Sequence, residues 1–242
     1  MKTCALIPTY NNATTLGDII DRTLATGYPL VVVNDGSNDG TTEVLQRYAG
    51  NPQVDIVSYV RNRGKGYALC RGFERAKALG YDYAVTLDAD GQHKPEEISL
   101  LEQAAVDTAK GVLVVGCRNL RADGMPGKNT FANRFSNFWF RLQTGCALAD
   151  TQSGYRLYDL RHLPSFRFLT RRYECELELL VFSAWRGVRI VPVAVQVYYP
   201  PKEERVSHFR PFADFARITL LNTCLTLAAP IAIIVQIFKQ TS

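Results

Sequence analysis

Tyr83-Ala84-Val85-Thr86-Leu87-Asp88-Ala89-Asp90-Gly91-Gln92-His93 is an apolar run that ends in two carboxylates and a glycine. The run, taken as a strand over residues 82–87, is short and apolar enough to be buried on both faces. Gly91 lets the chain turn away at its end. Two carboxylates at i and i+2 around such a bend can converge on one divalent cation. Mg²⁺ and Mn²⁺ prefer hard oxygen ligands and keep waters and substrate phosphates in their remaining positions. A sugar diphosphate is such a substrate, because the metal neutralises the leaving group's charge. A D-x-D also occurs in ordinary solvated loops, so its neighbours must decide.

Outward from this segment, further strands are predicted at 3–7, 30–34, 54–59 and 112–116. Helical stretches lie between them near 14–26, 40–49, 65–79 and 95–109. Apolar strands each followed by a helix predict an α/β domain with a parallel sheet covered on both faces. Ligands in such sheets sit beyond the carboxyl ends of the strands. Val31-Val32-Val33-Asn34-Asp35-Gly36-Ser37 ends one strand there, and Asp35 could accept hydrogen bonds from a base or ribose. The competing reading is a plain turn with Ser37 or Asp39 capping the next helix. Arg61-Asn62-Arg63-Gly64-Lys65-Gly66 is a cationic, glycine-rich loop that opens a helix, where loop amides attract phosphate. Its spacing is neither G-x-x-x-x-G-K-[ST] nor G-x-G-x-x-G, which excludes the P-loop and dinucleotide folds.

The second half predicts a helix at 130–142, a turn-strand at 151–159, a helix at 173–186 and a strand at 188–199. Pro200-Pro201-Lys202-Glu203-Glu204 reads as a loop. No charge occurs from Ile218 to Phe238, a stretch long enough to cross about 30 Å of hydrocarbon. The preceding residues 208–217 mix aromatics with cations, as an interfacial segment does. The alternative is a buried C-terminal helix broken at Pro230. The 242 residues are 47% hydrophobic and 21% charged, which fits one ample folded domain with a tail. A net charge of +5 suits anionic substrates or an anionic lipid surface and argues for no nucleic-acid partner. Six cysteines stand singly, without a C-x-x-C pair, so reduced and mostly buried thiols are expected rather than zinc ligands or a disulfide framework. Met1-Lys2 runs directly into the first strand without a secretory leader, and the catalytic part is expected in the cytosol.

Ile7-Pro8-Thr9-Tyr10-Asn11-Asn12, Asn34-Asp35-Gly36-Ser37, Asn62-Arg63-Gly64-Lys65-Gly66 and Asp88-Ala89-Asp90-Gly91-Gln92 occur in this order. Together they resemble the family-2 glycosyltransferases of GT-A fold, with the dolichyl- and polyprenyl-phosphate sugar synthases as the closest look. The resemblance covers residues 3–210. It implies a Rossmann-like, mostly parallel sheet flanked by helices, with a hydrophobic helical tail after it. It also implies that Pro8, Thr9, Tyr10, Asn12 and Asp35 hold the nucleoside, with Lys65 nearby. Asp88, Asp90 and Gln92 would surround the Mg²⁺ or Mn²⁺ ion and the diphosphate. Gly116-Cys117-Arg118 looks like the family's glycine-x-arginine, and Arg134 sits where a second arginine lies in the lipid-phosphate synthases; that pair meets the acceptor phosphate. Asp150-Thr151-Gln152-Ser153-Gly154-Tyr155-Arg156 resembles the D-x-x-S-G-[FY]-[RK] signature. Arg205-Val206-Ser207-His208 resembles the R-x-S-K loop that closes over the diphosphate. Three positions depart from many relatives: Asn12 replaces Glu, Asn34 replaces Asp, and His208 replaces Lys. The Q-x-x-R-W signature of processive polysaccharide synthases is absent, which argues against a polymerase.

The resemblance therefore implies an inverting, metal-dependent hexosyltransferase at the cytosolic face of a membrane. Residues 1–117 would form the nucleotide-sugar half and 118–210 the acceptor half of one catalytic domain, 1–210, followed by a membrane-associating tail, 211–242. A polyprenyl-phosphate acceptor is already ionised and needs only positioning, by Arg118 and Arg134. A hydroxyl acceptor, in glycan or glycolipid synthesis, would need a base, for which Asp150 is the candidate. Glu174, in Tyr173-Glu174-Cys175-Glu176-Leu177-Glu178, could cap a helix or act on the acceptor. His93, His162, Trp139 and Trp185 read as structural.

Overall fold

The computed structural model describes residues 1–105, 108–119, 127–163, 169–198 and 211–241. The order of elements is β1 (Thr3–Thr9), α1 (Leu16–Ala25), β2 (Leu30–Asn34), α2 (Thr41–Gln46), β3 (Val54–Ser58), α3 (Lys65–Ala78) and β4 (Tyr83–Thr86). A short 3₁₀ turn at Pro95–Glu97 leads into α4 (Ile98–Ala104). Then come β5 (Val112–Arg118), α5 (Gly127–Thr144), β6 (Arg156–Asp159), α6 (Cys175–Trp185), β7 (Arg189–Val195) and α7 (Pro211–Thr241).

The strands form one sheet in the order β3-β2-β1-β4-β6-β5-β7. Because side chains alternate across a strand, its central members feed two cores. On one face Cys4, Leu6, Val31, Val33 and Ala84 pack under α3, α5, α6 and the near half of α7. On the other, Ala5, Ile7, Val32 and Val85 pack under α1, α2 and α4. The helices match this by period: Leu16, Ile19, Ile20 and Thr23 are the buried stripe of α1.

The sheet is mostly parallel, and β6 is the exception. It pairs antiparallel with both β4 and β5. The reason is where it starts. Thr86 Oγ1 at the end of β4 donates to Gly154 O at 2.7 Å, so the turn before β6 lies at the carboxyl end of β4. A strand starting there can only run back. This reversal delivers the Asp150–Arg156 signature to the edge where β1, β2 and β4 end.

The tail is an apolar helix, as expected, but it is not broken at Pro230. α7 continues through Pro230 without a break. Its near half is part of the domain: Asp214, Leu221, Asn222, Leu225 and Ala229 are buried. Gln143 Nε2 of α5 donates to Asn222 O, Asn222 Oδ1 and Thr226 Oγ1 at 3.2, 3.0 and 3.1 Å. Phe215, Leu220, Leu227, Ile231 and Ile234 are exposed on its other faces. The stretch Asp214–Ala232 is long and apolar enough to cross a membrane by length and composition. All six cysteines are free; Cys4, Cys117 and Cys175 are buried, and Cys224 on α7 is exposed.

Candidate active site

The ends of β1 and β2 are joined by a polar mesh. Asn11 N donates to Ser37 Oγ at 3.0 Å, Asn12 N to Thr41 Oγ1 at 3.1 Å, and Ala13 N to Asp39 Oδ2 at 3.1 Å. Asn12 is buried, and its Oδ1 accepts from Thr9 Oγ1 and Tyr10 N, each at 3.3 Å. Asp39 Oδ1 also accepts from Thr41 N at 2.9 Å, but the N-cap position of α2 is Gly40 and not Asp39.

Asp35 is buried, and both of its oxygens hold the next loop. Oδ1 accepts from Arg63 N at 2.8 Å, while Oδ2 accepts from Gly64 N at 2.8 Å and Asn62 Nδ2 at 2.9 Å. Burial raises this carboxyl above the ordinary range, against the amide bonds that favour its charge. Gly36 makes the approach possible: at φ +67, a Cβ here would stand 2.5 Å from the Arg61 carbonyl carbon. Four amides of this loop and the helix start are taken up within the protein. Those of Arg63 and Gly64 go to Asp35, and those of Gly66 and Tyr67 go to Arg171 O at 2.8 and 3.3 Å. Of the loop's groups, it is the ammonium of Lys65 that reaches the end of β4.

There Lys65 Nζ lies 2.6 Å from Asp88 Oδ1 and 3.0 Å from Glu176 Oε2. Burial works against its charge, but the two carboxylates hold it protonated, well above the ordinary lysine range. Burial likewise opposes the charge of Asp88, yet Lys65 brings its carboxyl below the usual value. Asp90 goes the other way. Burial, then the neighbouring charge of Asp88, pushes it up to about 6. Two crowded carboxylates of this kind fit a divalent cation, which relieves their repulsion. Among the described residues no cluster of three or more His, Cys, Asp or Glu could hold an ion alone. A cation here would complete its shell with substrate oxygens and water, as Mg²⁺ and Mn²⁺ do. Gln92 is half-buried beside the pair, its backbone N donating to Asp90 Oδ1 at 3.0 Å.

His93 is structural, as expected. Its Nδ1 accepts from Asp88 N at 3.2 Å and its ring stacks on Tyr155 with centroids 5.0 Å apart. Burial lowers the imidazole to about 4, so it is neutral at physiological pH and fixes the backbone of the D-x-D turn. Thr15 Oγ1 holds the same turn through Ala89 O.

A second cluster sits at the end of β5. Arg118 grips Asp150 with two parallel bonds, Nε to Oδ2 at 2.6 Å and Nη2 to Oδ1 at 2.9 Å, and adds its backbone N at 3.2 Å. Asn133 Nδ2 of α5 donates to Oδ1 as well. Asp150 is fully buried, and although burial opposes its charge, Arg118 holds its carboxyl below the ordinary range. A base needs an accessible oxygen with a raised affinity for protons; Asp150 has neither. The candidate base Asp150 is thus fully buried, with both carboxylate oxygens engaged by Arg118. Arg134, one residue after Asn133, is exposed on α5. Pro200–Glu204, Arg205 and His208 lie outside the described residues.

Two contributors were not singled out from the sequence. Arg156 is fully buried and ties Ser153 O, Thr151 O and Glu176 O together at 2.7, 2.8 and 2.7 Å. Its signal was the last position of the D-x-x-S-G-Y-R signature. Glu176 is the acid that faces Lys65, while Glu178 binds Leu169 N and Thr170 N at 2.8 and 2.9 Å. Glu174 precedes α6 without making a capping bond, and its Oε2 is buried without a partner.

A family model described as Glycosyl transferase family 2 matches residues 4–163. The undecaprenyl-phosphate mannosyltransferase of Micrococcus luteus is 32% identical over 205 residues, covering 81% of this chain and 83% of that protein. The undecaprenyl-phosphate 4-deoxy-4-formamido-L-arabinose transferase of Pectobacterium atrosepticum is 37% identical over 230 residues, covering 91% of this chain and 66% of that protein. Among solved structures, glucosyl-3-phosphoglycerate synthase from Mycobacterium tuberculosis, in complex with Mn²⁺, UDP and glucosyl-3-phosphoglycerate, matches with a TM-score of 0.66 at 20% identity. That match covers 94% of this chain and 79% of the other, and it shows the GT-A fold.

Proposed function

The chain belongs to glycosyl transferase family 2, and from that premise we propose that it transfers a sugar, with inversion, from a UDP- or GDP-sugar to a polyprenyl phosphate. The observation that carries this reading is the convergence of Lys65, Asp88 and Asp90 at the strand ends, joined to relatives named for undecaprenyl phosphate. The donor would lie over residues 1–117, with Pro8, Thr9, Tyr10 and Asn12 at the rim and Asp35 fixing the loop that brings Lys65 in. The acceptor would enter over 118–210. A divalent cation at Asp88, Asp90 and Gln92 would neutralise the departing diphosphate.

The chain's own residues do the rest. Lys65 offers a fixed positive charge where negative charge develops on the leaving group. Arg118, oriented by Asp150, would meet the acceptor phosphate, with Arg134 as its partner on α5. The acceptor oxygen attacks the anomeric carbon opposite the nucleoside diphosphate, so configuration inverts. Being ionised, it needs no base, which agrees with the braced state of Asp150. Arg205 and His208 would close over the diphosphate. Residues 211–242 would hold the enzyme to the cytosolic face of the membrane through the exposed apolar faces of α7.

The test uses membranes containing the protein, labelled UDP- and GDP-sugars, Mn²⁺ or Mg²⁺, and added polyprenyl phosphate. Metal-dependent label in the organic phase, lost in Asp90→Ala, is the expected result. Donor hydrolysis without lipid labelling would turn the assignment toward a hydroxyl acceptor.

A further inference from the structure

The cluster around Gly154 contains a carboxylate for which the mechanism has no use. Lys65 has one ammonium and two partners, Asp88 Oδ1 at 2.6 Å and Glu176 Oε2 at 3.0 Å. Their other oxygens turn toward the same point. A Cβ on Gly154 would stand 2.9 Å from Glu176 Oε1, 3.0 Å from Asp88 Oδ2 and 3.2 Å from Lys65 Nζ. Three side chains from α3, the end of β4 and α6 thus close around one bare backbone position.

Asp88 has two competing roles in this arrangement. It is half of the D-x-D that fits a divalent cation, and it is the nearer partner of Lys65. An ammonium and a divalent ion on one carboxylate repel each other. Lysine's flexible stem lets its charge change partners without moving the backbone. Glu176 lies within reach to receive it. It also supplies the balancing charge: Asp88, Asp90 and Glu176 set three carboxylates against one ammonium, which leaves two negative charges for the ion.

We propose that Glu176 is a positioning residue that draws Lys65 off Asp88 when a cation engages the D-x-D, and so sets the cation affinity of the site through Lys65. This rests on the metal-dependent reading given above. Without Glu176, Lys65 would pair with Asp88 alone and compete with the ion. With it, the ammonium stays close by, held by α6.

The experiment measures Mn²⁺ binding to the purified full chain in detergent, without donor, by the electron paramagnetic resonance of free Mn²⁺. Five variants are compared with wild type at neutral pH: Glu176→Gln, Glu176→Asp, Lys65→Met, Lys65→Met with Glu176→Gln, and Asp90→Ala. Glu176→Gln should weaken binding by about tenfold, within the range seen when groups behind a metal's ligands are removed. Lys65→Met should tighten it, and Glu176→Asp, which keeps the charge, should restore most of the affinity lost in Glu176→Gln. In the Lys65→Met background, adding Glu176→Gln should change little, because its effect is relayed by the missing ammonium. An equal loss in both backgrounds, or no loss in either, overturns the proposal while leaving the metal site standing. Wild-type protein without any Mn²⁺ binding that Asp90→Ala removes would overturn the metal reading, and the proposal with it.

Discussion

Asp88 and Asp150 are both held by a cation at the end of a sheet strand, and their settings differ in charge. Asp150 is fully buried; Arg118 takes both of its oxygens and Asn133 adds a third donor. Asp88 shares a single ammonium with Glu176 and sits beside Asp90, whose carboxyl its charge helps push up to about 6. The first arrangement is closed and balanced; the second is short of positive charge. Burial alone does not separate a tool from a brace. What separates them is whether the partners already present leave charge unanswered.

Asp150→Asn gives the largest change in stability, because it removes the carboxylate that takes two parallel bonds from the largely buried Arg118 guanidinium. Loss of one partner of such a pair costs about 3–5 kcal/mol, read as a fall in unfolding free energy in denaturant. Transfer should fall with it as Arg118 loses its orientation. A variant that keeps its stability but loses transfer would return Asp150 to the list of bases.

Asp90→Ala should reverse the pattern, with stability kept and kcat down on the order of 10²–10³-fold, the range seen when transition-state charge loses a stabilising group. Chelating the metal from wild type should reproduce the loss. Gly154→Ala should come next, at about tenfold in transfer, which corresponds to ~1.4 kcal/mol. The new methyl meets the flexible ends of Glu176, Asp88 and Lys65 rather than backbone, so melting should barely move.

The smallest effect is one of sign. Asp90 is raised, so the folded chain binds more protons than the unfolded one from about pH 4 to about 6. Its contribution to stability therefore falls as pH rises across that window. Asp150 is lowered, so its contribution is present above the ordinary carboxylate range and is lost as pH falls through its own value. In chelator, Asp90→Asn should raise the Tm above pH 6 by about 2–4 °C for each kcal/mol relieved. Equal melting of Asp90→Asn and wild type across the window would remove the distinction between the two sites.

The parallel half was legible because its strands are apolar runs bounded by turn residues; β2 occupies residues 30–34, as its pattern predicts. The loops after β1, β2 and β4 were legible too, since their motifs are contiguous. What the chain hides is pairing across distance. Arg118 and Asp150 are 32 residues apart, and neither announces the other. The alternating acids at 174, 176 and 178 give no sign that the middle one meets Lys65. Four residues of β6 carry no direction in their pattern. Pro230 marks a break by local rule, yet one lost amide bond does not stop a long apolar helix.

The stitching of α7 into the domain decides where this protein can be cut. Leu221 and Leu225 belong to the same core as Phe73 and Phe140, and Gln143 fastens Asn222 beside them. A truncation before Pro211, the natural choice for obtaining a soluble enzyme, would expose that core and strip Arg172 of Asp214. A shortened form has to retain the helix to Ala229. Core packing and exposed apolar surface here are two sides of one helix.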